Sequence, residues 1–94
     1  MASVVYSRNA LANLRRALAF LVSDPQAAAA AVQRIRSAIS LLEHHPFVGR
    51  VVQAELRELV ISYGKTGYVA LYRYVPARDE VRILAVRHQR ELDY

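Results

Sequence analysis

Between Leu56 and Arg90 the apolar residues recur at every second position, and the turn residues fall where three short strands would end. Leu56 to Tyr63 is rich in β-formers, and Gly64-Lys65-Thr66-Gly67 reads as a turn. Tyr68 to Val75 then alternates Tyr68, Ala70, Tyr72 and Tyr74 against Val69, Leu71, Arg73 and Val75. Pro76 to Glu80 turns the chain again, and Val81 to His88 sets Val81, Ile83 and Ala85 against Leu84 and Val86. An antiparallel meander follows, closing on Arg87-His88-Gln89-Arg90.

The first half carries the other period. Ser3-Val4-Val5-Tyr6 is a short strand and Ser7 is placed to cap a helix, with Leu11, Leu14, Leu18 and Leu21 following at helical spacing. Ser23-Asp24-Pro25 stops and restarts the chain, with Asp24 as N-cap and Pro25 at the first helical position, where its missing N–H costs nothing. The second helix presents Ala28, Val32, Ile35, Ile39 and Leu42 as its buried stripe and leaves Gln33, Arg34, Ser37 and Ser40 outside. His44-His45-Pro46 ends it. The alanine run Ala27 to Ala31 is explained by helix propensity and close helix packing. With no repeat and no long linker, residues 1–94 read as a single α+β domain: an N-terminal strand, a helical hairpin, then a three-strand antiparallel meander with the helices packed on one sheet face. Leu14, Leu18, Ile35 and Ile39 are expected to meet Leu71 and Leu84 in the core.

Composition limits the chemistry. The 94 residues include no cysteine, so a disulfide framework, a thiolate zinc site and a cysteine nucleophile are all excluded. A reducing cytoplasm fits this composition. No apolar run approaches the ~20 residues of a membrane span, and no signal-peptide pattern precedes Ser7, so no membrane partner is expected. The net charge is +5, and Lys65 is the single lysine among 13 cations. Arginine grips carboxylate and phosphate bidentately, so the bias suits an acidic protein surface or a nucleic acid. It equally fits a GC-rich coding genome, and charge of both signs is spread over both halves.

The order and spacing of several motifs resemble the RelE/ParE superfamily of bacterial type II toxin–antitoxin toxins. They are the capped helical hairpin, Pro46-Phe47-Val48-Gly49-Arg50, Leu56-Arg57-Glu58-Leu59, Gly67-Tyr68 through Tyr72-Arg73, and Ile83-Leu84-Ala85-Val86-Arg87-His88-Gln89-Arg90. The resemblance spans nearly the whole chain. It implies a toxin that arrests growth, acts in the cytoplasm, serves plasmid stabilisation, needs no cofactor and is neutralised by a cognate ParD-like antitoxin. RelE-like members cleave mRNA on the ribosome, whereas ParE-like members poison DNA gyrase without RNA chemistry of their own.

Cleavage by a 2′-hydroxyl requires a base, an acid and fixed cations against the extra phosphate charge. After Gly67-Tyr68, where RelE-like relatives commonly place a phosphate-binding arginine, this chain has Val69. The lysine cluster of those relatives is absent as well. The ending, a histidine followed two residues later by arginine, looks ParE-like. The expectation is therefore a non-enzymatic gyrase inhibitor, with a metal-independent endoribonuclease using His88, Arg90 and Tyr94 as the alternative.

Arg57, Tyr72, Arg73, Arg87, His88, Arg90 and Tyr94 are the expected contacts for target or antitoxin. Each has a plainer reading. Arg57 and Arg73 can pin strand ends through Glu55 or Glu58, and His88 at a strand end is a common structural imidazole. The tyrosines can stack bases or form a cross-strand cluster, and a protein-binding use is favoured over direct nucleic-acid binding. His44 and His45 are adjacent, their side chains diverge, and no metal site is expected.

Overall fold

The structure is a computed structural model and describes residues 1–20, 24–63 and 66–88. Strand β1 (Ser3–Tyr6), helix α1 (Arg8–Phe20) and helix α2 (Pro25–Ser40) are followed by strands β2 (Arg50–Gln53), β3 (Leu56–Tyr63), β4 (Thr66–Val75) and β5 (Glu80–His88). They build one sheet of order β1-β5-β4-β3-β2, with β1 parallel to β5 and the remaining pairs antiparallel. The α+β class, the N-terminal strand and the meander are as the sequence implies. The sheet has one strand more. β2 forms a tight hairpin with β3 through Ala54 and Glu55, and Ala54 adopts φ 49° without being glycine.

Local chemistry starts both helices. The Ser7 hydroxyl accepts from Ala10 N at 3.0 Å, and the Asp24 carboxylate accepts from Ala27 N at 3.1 Å with Pro25 in the first turn. α2 gives way after Ser40 to a 3₁₀ turn, Leu41–Glu43, which keeps Leu42 fully buried. Its buried stripe is Ala28, Ala31, Ile35 and Ile39, with Val32 only half-buried.

Two expectations about the core are corrected. α1 buries Ala10, Asn13 and Leu14, while Leu11 is exposed. The helix is rotated because polar groups anchor it to β5. Ser7 Oγ and Asn9 Nδ2 both donate to the Leu84 carbonyl, at 3.1 and 3.0 Å, and Asn13 Oδ1 accepts from Val86 N at 2.9 Å. The cause lies in β5 itself. Its register with β4 slips between Leu71↔Ala85 and Tyr72↔Ile83, so Leu84 is a bulge residue that re-aims the strand. Val81, Ile83 and Val86 consequently all join the core, which simple alternation does not allow.

The second correction concerns which face is inside. Tyr68, Ala70 and Tyr72 join Leu14, Ile35, Ile39, Leu42, Ile61, Val81, Ile83 and Val86 in the core, and Leu71 and Leu84 do not. Leu71 belongs to the opposite face with Arg73. The apolar body of tyrosine fills the space beneath the helices, and its hydroxyl finds a polar partner at the core's margin. Leu18 lies in α1, but its side chain, like residues Leu21, Lys65, Arg90 and Tyr94, is outside what the structure describes.

Candidate functional site

The Pro46–Arg50 motif becomes a loop held from beneath by two side chains of the sheet. Tyr72 is 0% exposed, and its hydroxyl donates to the Pro46 carbonyl at 2.9 Å while accepting from Gly49 N at 2.8 Å. Opposite it on β3, Arg57 Nη1 donates to the carbonyls of Phe47 (3.0 Å) and Gly49 (2.8 Å). Gly49 is required by the closeness of this grip. A Cβ there would stand 2.5 Å from the Tyr72 hydroxyl and 2.8 Å from the Glu58 carbonyl oxygen. Burial raises the Tyr72 pKa above its ordinary value, because the phenolate would lose water, and the Gly49 N–H and the Arg57 charge oppose that shift.

The tethered loop displays rather than hides its apolar residues. Phe47 is 60% exposed, although the Arg57 guanidinium lies over its ring at 5.0 Å and Tyr74 meets it edge-on at 5.2 Å. Val48 and Val51 are each 53% exposed. Val51 is the cross-strand partner of Arg57, so Phe47, Arg57 and Val51 form a continuous surface. Arg50 carries the chain into β2 and pairs with Glu58.

The expected contact residues divide into three places. Arg57 and Tyr72 meet at this loop, where Tyr72 has no surface to offer a partner and acts through the loop it holds. Arg73 is on the other sheet face, directly opposite Arg82, and lies 3.9 Å from Glu55. Arg87 and His88 end β5, ~13 Å along the sheet from Arg57, four residues of β4 at ~3.3 Å each. Arg87 is exposed opposite Val69, and His88 meets Tyr68 edge-on at 5.2 Å. Arg90 and Tyr94 fall outside the described residues. His44 and His45 are exposed, and among the described residues no cluster of histidine and carboxylate groups is arranged to hold a metal.

Chemically, the face away from the helices offers little to a reacting phosphate. The row formed by Arg87, Val69 and Val60 contains one guanidinium and two valines. On the helix side, a groove of about 600 Å³ runs along α2, lined by Ala29, Val32, Gln33, Arg36, Ser37 and Ser40. Sequence reasoning noticed Pro46-Phe47-Val48-Gly49-Arg50 as a landmark but did not select Phe47 or Gly49 as functional. An aromatic residue between proline and a tight glycine, in a segment with no helix or strand period, was the available signal.

A family model described as the ParE toxin of the type II toxin–antitoxin system, parDE, matches residues 4–93. The chain belongs to the ParE toxin family. This ParE-family chain is 40% identical over 85 residues to toxin RelE3 of Caulobacter vibrioides, covering 90% of the chain and 88% of that relative. Its fold is similar to the chromosomal ParDE toxin–antitoxin system from P. aeruginosa, with a TM-score of 0.76, 25% identity and coverage of 94% and 96% of the two chains. The toxin–antitoxin complex RelBE2 from Mycobacterium tuberculosis is also similar, with a TM-score of 0.59, 28% identity and coverage of 93% and 96%. ParE and RelE likenesses together place the chain in the RelE/ParE superfamily of toxins.

Proposed function

We propose that this ParE-family toxin arrests growth by binding DNA gyrase, without catalysis of its own, and is held inactive by a ParD-like antitoxin. The observation that carries the reading is the Arg87–Val69–Val60 row. A ribonuclease must surround the scissile phosphate with several cations and place an acid and a base beside it. Two valines in that row bind no phosphate, and His88 is turned against Tyr68. Exposed arginines beside apolar side chains suit a protein partner instead.

In this reading Arg73, Arg87, His88, Arg90 and Tyr94 contribute contacts to target or antitoxin, and Arg57 and Tyr72 contribute by fixing the loop. The α2 groove suits an antitoxin segment that folds as it docks. No described helix is long and apolar enough to cross a membrane, and gyrase as target makes the cytoplasm the place of action. The name of the Caulobacter relative and the likeness to RelBE2 keep one second reading, ribosome-dependent mRNA cleavage.

One preparation distinguishes them. Purified toxin is expected to block gyrase supercoiling and accumulate broken DNA while mRNA on translating ribosomes stays intact. Codon-positioned mRNA cleavage that disappears with His88 or Tyr94, with supercoiling untouched, transfers the function to the ribonuclease reading.

A further inference from the structure

The Phe47 corner combines two properties that do not ordinarily occur together. Its backbone is fixed by four hydrogen bonds from Tyr72 and Arg57, one strand layer below the surface. Its side chains, Phe47, Val48 and Val51, are nevertheless more than half exposed. A loop tethered only for stability would turn its phenylalanine inward. Here the ring is instead held outward, with the Arg57 guanidinium on it and the Tyr74 edge beside it. An aromatic already immobilised in the free protein loses little further freedom on binding, which is how anchor residues at interfaces gain affinity.

The surroundings indicate the partner's chemistry. From His44 to Gln53 the chain carries Arg50, His44 and His45, all exposed, and no carboxylate. The β2 edge beside the patch is irregular at Val52, where its register with β3 shifts. Such a bulge discourages simple strand addition, and with it the pairing of two copies edge to edge. The remaining match is a concave surface, apolar at its floor and acidic at its rim.

We infer that Phe47, with Val48 and Val51 around the Arg57 guanidinium, is the anchor by which the toxin seats itself in an apolar, acid-rimmed pocket of its target protein, apart from the surface its antitoxin covers. The inference rests on the reading of the chain as a toxin with a protein target, but not on which protein that is.

The test uses the full-length toxin with Phe47→Glu, and Val51→Glu as a second variant on the same surface, each checked for unchanged circular dichroism and melting temperature. Growth arrest on induction is read beside binding of the antitoxin encoded next to the toxin gene. The expected result is at least a tenfold loss of toxicity for a folded variant, with antitoxin affinity within about twofold of wild type. If Phe47→Glu does not fold, the same outcome is expected of Val51→Glu. Full toxicity in the folded variants overturns the inference, and so does a comparable loss of antitoxin binding, which makes the corner the antitoxin's surface. Arrest that proceeds by mRNA cleavage and disappears with Phe47 also overturns it, since the occupant is then nucleic acid. A wild-type toxin that leaves supercoiling and mRNA untouched, yet loses toxicity with Phe47→Glu, supports the anchor and removes gyrase.

Discussion

Two regions of this domain use side-chain hydrogen bonds to hold backbone, and they use them for opposite ends. At the seam between α1 and β5, Ser7, Asn9 and Asn13 grip Leu84 and Val86 around the bulge, and Asn13 is itself buried. At the other side of the sheet, Tyr72 and Arg57 grip Pro46, Phe47 and Gly49, and the loop above them keeps its apolar side chains in water. In the seam the polar groups satisfy backbone that the core has enclosed. In the corner, burial of the tether is what holds an exposed surface in shape. Polar tethers therefore mark a region as fixed, and only the exposure of what they hold tells whether it is fixed for stability or for presentation.

Tyr72 is where the corner is most vulnerable. Tyr72→Ala removes a fully buried ring and is expected to cost about 3–5 kcal/mol. Tyr72→Phe keeps the ring but leaves the Gly49 N–H and the Pro46 carbonyl without their partner, at about 1–3 kcal/mol. Urea titration measures both. The corner differs from the seam in a second way: Tyr72→Phe should also weaken toxicity, because the Phe47 loop is released. A variant that loses this stability and keeps full toxicity would separate the tether from the function and break the comparison.

Asn13→Ala makes the corresponding change in the seam. It strips the buried Val86 N–H of its acceptor, and a loss of about 1–3 kcal/mol is expected in the same titration. Here toxicity and antitoxin affinity should follow only the fraction folded. A loss well under 1 kcal/mol would mean that water replaces the Asn13 oxygen and that the bulge is less dry than its burial implies.

What was legible in the sequence follows from how local each cause is. The capping of α1 by Ser7, the Asp24-Pro25 start of α2 and the bounds of β1, β3 and β5 depend on neighbours in the chain, and they stand where the pattern puts them. β2 was hidden because its hairpin turns on Ala54 and Glu55, without a glycine or asparagine to announce a positive φ. The rotation of α1 and the inverted assignment of the sheet faces share one non-local cause. A bulge cannot be read from alternation that it interrupts, and Asn13 looks like a surface residue until Val86 is placed above it. The candidate site divides in the same way. Arg57 and Tyr72 were singled out from the sequence, but their grip on a loop 10 and 26 residues away in the chain was not visible there.

The smallest expected effect uses a tyrosine from each region. Tyr6 ends β1 just before the seam, and burial raises its pKa, opposed by the charge and hydrogen bond of Arg36. Tyr72 is raised by burial in the corner. An unfolded tyrosine gives up its proton near pH 10, while the folded protein still holds it. The unfolded state therefore binds fewer protons as the pH climbs past that value, and stability must fall. Below about pH 10 both contributions are complete, and they are lost as pH rises through the folded values. Phenylalanine cannot titrate, so Tyr72→Phe and Tyr6→Phe should each flatten the decline of stability above pH 10, whatever they do to stability at neutral pH. The slopes, measured by urea titration between pH 8 and about 11, are the quantity to compare, because they are independent of the packing each substitution disturbs. Unchanged slope in Tyr72→Phe with a flatter one in Tyr6→Phe would show water reaching the Tyr72 hydroxyl. The tether would then be an exposed one, and the corner would lose the buried foundation on which its outward-facing Phe47 depends.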